Sequence, residues 1–182
     1  MDRHDSLMAS CRRGDEVVWE REISDGGEVL HPVILAHGGA IWYAWSEYAR
    51  ENWRILARCY RDGQWGEVLT VASGEALFFP RLFTWQGKLH VIWTEQHKGS
   101  AAAVLCPLTE AGPGAAETVS AVGEAYRAGA AEGGDGNLYV AYDGFDGKQY
   151  KLFARARTAA GWSEEIVVSQ GEDWASTPWI LS

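Results

Sequence analysis

The chain has 182 residues, among them 10 tryptophans and 21 glycines, and a formal net charge of −9. That length suits one domain with a sizeable core. The negative charge argues against nucleic acid, whose phosphates must be neutralised by Lys and Arg, and against an anionic membrane surface. No apolar run is long enough to span a bilayer, and the charged residues 1–15 lack the apolar stretch and cleavage site of a secretory signal. A soluble, cytoplasmic protein that binds neither nucleic acid nor membrane is the expectation.

In chain order, residues 1–15 are expected to be disordered or extended. Residues 16–24, which include Val17-Val18-Trp19-Glu20-Arg21-Glu22-Ile23, read as the fourth, outermost strand of a repeat unit. A pattern then begins that returns three times. Its first copy is Ile41-Trp42-Tyr43-Ala44-Trp45-Ser46-Glu47, its second Leu89-His90-Val91-Ile92-Trp93-Thr94-Glu95 and its third Leu138-Tyr139-Val140-Ala141-Tyr142-Asp143. Trp45 and Trp93 are 48 residues apart, and Trp93 and Tyr142 are 49 apart. Other features keep that phase: His31-Pro32, Phe79-Pro80, Tyr126-Arg127 and Thr177-Pro178 upstream, and Gly63-Gln64-Trp65, Gly112-Pro113-Gly114 and Gly161-Trp162 downstream.

The central runs are apolar at nearly every position, yet short and bounded by Gly, as strands buried on both faces are. Tyr48 to Arg61 could be drawn as an amphipathic helix, but its counterpart Lys151 to Arg157 alternates basic and apolar residues with period two. Four strands fit each period. The pattern predicts an all-β fold of β-propeller-type repeats built from four-stranded antiparallel blades. Blades are expected at about 30–75, 78–123 and 126–170, with 176–182 opening a further one, so that 16–182 forms a partial propeller.

Propellers have four to eight blades, so three do not close a ring. Completion by a second copy is the expected solution, a cyclic head-to-tail dimer being the simplest; an open wedge and a longer propeller are the alternatives. Cys11, Cys59 and Cys106 are odd in number and lack zinc-site spacing, as do the histidines. Free thiols are expected, with no metal and no cofactor.

The Pro-initiated inner strand, the strand Leu89-His90-Val91-Ile92-Trp93-Thr94-Glu95 and the hairpin Asp62-Gly63-Gln64-Trp65 resemble the bacterial sialidase-like, neuraminidase-repeat propellers over roughly residues 16–182. The resemblance is architectural. It implies an Asp-box hairpin, which Arg61-Asp62-Gly63-Gln64-Trp65 matches only in degenerate form, without its Ser. It also implies a Phe/Tyr-Arg-Ile-Pro motif, whose order is changed in Phe79-Pro80-Arg81-Leu82. No catalytic residue carries over.

Glu47, Glu95 and Asp143 end the second strands, where paired carboxylates can serve as acid and base. The competing reading is that they satisfy backbone turns or face solvent. Trp53 and Tyr150 open the third strands and offer aromatic faces to a sugar ring, or else pack on the neighbouring blade. These five are the candidate ligand-binding residues. The expected function is a non-enzymatic binding or scaffold module, its ligand a glycan and its partner a second copy. The alternative is a sialidase-like glycoside hydrolase or an inactive fragment of one.

Overall fold

The computed structural model describes residues 5–24, 26–121, 123–170, 175–178 and 180. A hairpin of β1 (Met8–Arg13) and β2 (Glu16–Glu22) precedes three all-antiparallel sheets. The first contains β3 (Glu28–His37), β4 (Ala40–Ala49), β5 (Asn52–Arg61), β6 (Gln64–Trp65) and β7 (Leu69–Gly74). The second contains β8 (Ala76–Trp85), β9 (Lys88–His97), β10 (Ser100–Thr109), β11 (Gly112–Pro113) and β12 (Glu117–Thr118). The third contains β13 (Ala125–Glu132), β14 (Leu138–Phe145), β15 (Tyr150–Thr158), β16 (Gly161–Trp162) and β17 (Ile166–Val167).

Each sheet is a four-stranded blade whose outer strand is broken in two, both pieces pairing with the third strand. The break recurs because the chain folds back at the same place. Gly66 N donates to Cys59 O at 2.9 Å, Gly114 N to Pro107 O at 2.8 Å and Ser163 N to Ala156 O at 2.8 Å.

The blades stack face to face, which is why their second strands are apolar throughout. Alternation along β9 turns Leu89, Val91 and Trp93 towards the first blade, where they join Ala57, Ile55 and Trp42. The intervening Ile92 joins Leu138, Val140 and Tyr142 of the third blade. A strand clad on both sides has no polar face to show.

The N-terminal segment is extended at residues 8–13, as one of the two expectations had it, but residues 16–24 differ from theirs. Residues 8–13 form a strand, and Glu16–Glu22 pairs with it rather than serving as the outer strand of a blade. The reason is that no outer position is vacant: each blade fills its own fourth position from the chain just downstream of its third strand. The hairpin instead covers the face of the first blade that turns away from the second. Trp19 packs at 5.0 Å on Tyr60 and 5.5 Å on Trp65, and Tyr43 lies 5.3 Å from Trp65. A head-to-tail ring would have to displace it.

At the opposite end of the stack the C-terminal segment reaches only part of the outer face among the described residues, with Pro178 and Ile180 over Gly129. On the outer face of the third blade, Gly129, Ala141, Ala154 and Ile166 lie in one cross-strand row, with Ile166 60% exposed.

Every inner strand carries a bulge. Pairing skips between Leu30 and Val33, Phe78 and Arg81, and Tyr126 and Gly129. The displaced residues His31, Phe79 and Arg127 take positive φ of 54°, 56° and 42°. Pro32 and Pro80 explain two of these, because proline cannot donate to a ladder; the third blade keeps the geometry with Ala128. Thr177, before Pro178, has φ of 59°. Within the segment expected to open a further blade, Trp179, Leu181 and Ser182 lie outside the described residues. The described residues 175–178 and 180 have no strand ladder, although Ala175 N donates to Tyr150 O at 3.2 Å.

Candidate ligand-binding site

The bulges and the ends of the second strands lie at the same end of the stack, the mouth of the axis. The second strands run two residues past Glu47, Glu95 and Asp143, which therefore do not end them as expected. On the side facing the next blade they carry three polar residues near this end, Ser46, Thr94 and Asp143, opposite Leu30, Phe78 and Tyr126 in register. All three are fully buried. Thr94 catches the next inner strand at its bulge, and Asp143 catches the residue before Pro178. Thr94 Oγ1 accepts from Arg127 N at 3.1 Å, and Asp143 Oδ1 accepts from Thr177 N at 3.3 Å. The Ser46 hydroxyl has no partner among the described residues.

Asp143 is thus the counterpart of Ser46 and Thr94, not of Glu47 and Glu95, whose side chains point to the opposite face. Its carboxylate also receives the Arg127 guanidinium, with Nε at 3.0 Å from Oδ1 and 3.2 Å from Oδ2 and a further short contact from Nη2 to Oδ2. Four contacts engage the carboxylate, and the acid fixes the bulge rather than standing free.

Glu47 is occupied in a different way. Trp45 Nε1 donates to its Oε2 at 3.1 Å, and Arg54, its cross-strand neighbour, donates to Oε1 at 2.5 Å. Gly27 allows the chain to close over it: a Cβ there would lie 2.6 Å from Glu47 Cγ and 2.6 Å from Tyr48 O. Glu95 differs from both, being half-buried and without a hydrogen bond or ion pair among the described residues. The structure therefore distributes the three acids over three blade faces and does not bring them together.

The aromatic candidates form two clusters. Trp53 pairs across the strands with Tyr48 at 5.3 Å and meets Phe78 of the second blade edge-on at 4.7 Å. Beyond it His31 lies 4.2 Å from Phe79. Burial, then the charge of Arg81, holds the His31 imidazole below its ordinary pKa. Tyr150 pairs in the same way with Phe145 at 5.5 Å and lies 6.2 Å from Tyr126. Burial first, then neighbouring Tyr150, Glu124 and Asp143, pushes the Tyr126 phenol upward. Tyr48–Trp53 and Phe145–Tyr150 are thus equivalent rungs at the mouth; the second blade has Gln96 and Ala101 there.

Between the inner strands runs an axial groove of about 330 Å³, lined by Val33, Ile34, Arg81, Leu82, Gly129 and Ala130 together with Pro178 and Ile180. Every blade contributes to it. Arg81 is its charged member, on an otherwise apolar wall.

No family model matches the sequence, and no curated protein does. Solved structures do match. The chain aligns with an alpha-L-arabinofuranosidase from Lactobacillus brevis at TM-score 0.57 and 10% identity, covering 81% of this chain and 58% of that one. It aligns with the GH32 beta-fructofuranosidase BmSUC1 of Bombyx mori at TM-score 0.52 and 13% identity, covering 75% and 38%. It aligns with the xyloglucan GH43B protein of Bacteroides ovatus at TM-score 0.55 and 14% identity, covering 80% and 30%. What they share is the fold. It is propeller-like and of the kind found in glycoside hydrolases, without pointing to sialidases in particular. The chain spans less than two thirds of each of these proteins.

Among the described residues no group of three or more His, Cys, Asp or Glu side chains is placed to hold a metal ion, and no helix is long and apolar enough to cross a membrane. Sequence reasoning missed Arg54, Arg127 and Arg81. The first two had a signal: each lies on a neighbouring strand at the mouth end, where an acid near the end of the second strand needs a cation.

Proposed function

We propose that the chain is a carbohydrate-binding module that presents its ligand site at the mouth of the axial groove and works as a pair of copies. The observation that carries the reading is the recurrence of a cross-strand aromatic rung, Tyr48–Trp53 and Phe145–Tyr150, at one end of a groove to which every blade contributes. Aromatic faces suit the apolar faces of sugar rings. The carbohydrate-acting names of the three fold neighbours point the same way.

The occupied state of Glu47 and Asp143 favours binding over the sialidase-like hydrolase alternative. Glycoside hydrolysis needs two carboxyl groups flanking one bond, roughly 5–10 Å apart. Here both acids are fully buried, each engaged by an arginine, on different blades. Pairing of copies rests on the exposed Tyr139 and Ile166 side chains on the outer face of the third blade, with the hairpin blocking its head-to-tail partner face. The two third blades would meet across a twofold axis.

The test is calorimetric titration with arabino-, fructo- and xyloglucan-derived oligosaccharides. Tyr150→Ala and Trp53→Ala are each expected to weaken binding about tenfold, the ~1.4 kcal/mol appropriate to one aromatic contact. Affinity unchanged in both variants refutes the aromatic site, and release of reducing sugar favours the hydrolase. Light scattering tests the pairing. The unaltered chain should run as a dimer and Ile166→Glu as a monomer; a monomeric unaltered chain removes that part of the proposal.

A further inference from the structure

The first two blades carry the same device at the same place, but in the second it is incomplete. In the first, Glu47 lies opposite Arg54 and takes its guanidinium, while Trp45 Nε1 donates to the other carboxylate oxygen. Advancing 48 residues turns Trp45 into Trp93 and Glu47 into Glu95. Opposite Glu95, where Arg54 would recur, stands Ala102; opposite Trp93 stands Val104.

Removal of the guanidinium leaves three traces. Trp93 is 1% exposed, and its indole N–H has no partner. Glu95 has no hydrogen bond or ion pair among the described residues. A groove of about 370 Å³ opens there, lined by Glu95, His97, Ser100, Ala102, Val104 and Thr118, a volume in the range of small-molecule sites. His97 at its rim is engaged with Glu75, at 3.2 Å. The third blade has Gly144 and Lys151 at the corresponding positions and so carries no acid to repeat the arrangement.

We infer that this groove in the second blade is a binding site for a guanidinium-bearing ligand, which takes the place that Arg54 fills in the first blade. Glu95 receives the planar fork, for which a carboxylate is the matching acceptor. Ala102, Val104 and Thr118 wall the aliphatic stem, as apolar surface does for arginine side chains generally. The site is separate from the axial groove and independent of the carbohydrate reading.

The experiment is a titration of the isotopically labelled protein with methylguanidinium chloride, followed by the tryptophan indole N–H resonances, with Trp93 assigned from Trp93→Phe. The Trp93 signal should move saturably with a Kd of roughly 10–100 mM, the strength of one charge-assisted hydrogen-bonded pair at a partly exposed site. Methylurea, similar in shape but neutral, should leave it in place. Glu95→Gln should weaken binding at least tenfold. Ala102→Arg should abolish it and place the Trp93 resonance near its ligand-bound position, because the chain then supplies its own guanidinium. The inference is overturned if no saturable shift occurs, if methylurea acts equally, or if Glu95→Gln binds as the unaltered chain does. The last two readouts do not depend on the Ala102→Arg variant folding.

Discussion

Replacing Asp143 by Ala tests whether the mouth is held together by its buried acid. The carboxylate accepts from the Arg127 guanidinium and from Thr177 N, and its side chain is fully buried. A hydrogen bond to a charged group contributes about 1.5–3 kcal/mol net. Arg127 is 33% exposed and can turn to water, so the lower figure applies to it. Leaving the Thr177 amide without its acceptor adds a comparable amount, for a total near 3 kcal/mol. At roughly 2–4 °C per kcal/mol for a chain of this size, the Tm should fall by about 6–12 °C. Asp143→Asn keeps an acceptor for Thr177 but not the charge, and should lose about half as much. Urea and thermal unfolding followed by tryptophan fluorescence measure both. A loss below about 1 kcal/mol for Ala, or equal losses for Ala and Asn, would refute the assignment of Asp143 as a charged clamp.

Three further outcomes are expected. Gly27→Ala drives a methyl group into Glu47 Cγ and the Tyr48 carbonyl and should cost about 1–3 kcal/mol in urea denaturation; unchanged stability would mean that this loop does not close over Glu47. Trp19→Ala removes the ring that joins the hairpin to Tyr60 and Trp65, and trypsin should then cut at Arg12 and Arg13 well before the blades, as read by mass spectrometry. Burial pushes the Cys106 thiol from 9.0 up to about 11. Its contribution is therefore intact below about pH 9 and lost as pH rises through about 11, roughly 2–3 kcal/mol in all. Alkylation of native protein at pH 8 should spare Cys106; rapid labelling there would contradict its burial.

The repeat was legible because stacking blades demands the same short apolar strands at a fixed spacing. The two-residue alternation within those strands also decided which acids belong together, but it acts at single-residue resolution. Asp143 sits one position earlier in the period than Glu47 and Glu95 do, and that one step moves it to the opposite face. Counting from the aromatic, Tyr142 against Trp93, would have aligned it with Thr94. The strand Met8–Arg13 gave no such signal. It is polar, it has a register shift between Cys11 and Arg12, and nothing in its own composition names its partner. The split outer strands were legible as glycine hairpins followed by Val-rich segments, while the fold-back bonds that break them are backbone bonds, to which side-chain patterns are blind.

The hydrogen bonds at the bulges run in one direction along the stack: Thr94 holds Arg127, and Asp143 holds Thr177. The second blade thus grips the third, and the third grips the segment that follows it, whereas Ser46 of the first blade makes no such bond among the described residues. Loosening would spread like a fan opening from its free rib. The third blade is held by a blade on one side only, through its bonds and apolar contacts with the second, whereas the second, flanked on both sides, has to wait for a neighbour to leave. Amide exchange should follow that sequence, fastest in β15 and slowest in β9, because in a nearest-neighbour array protection belongs to the unit with the most neighbours.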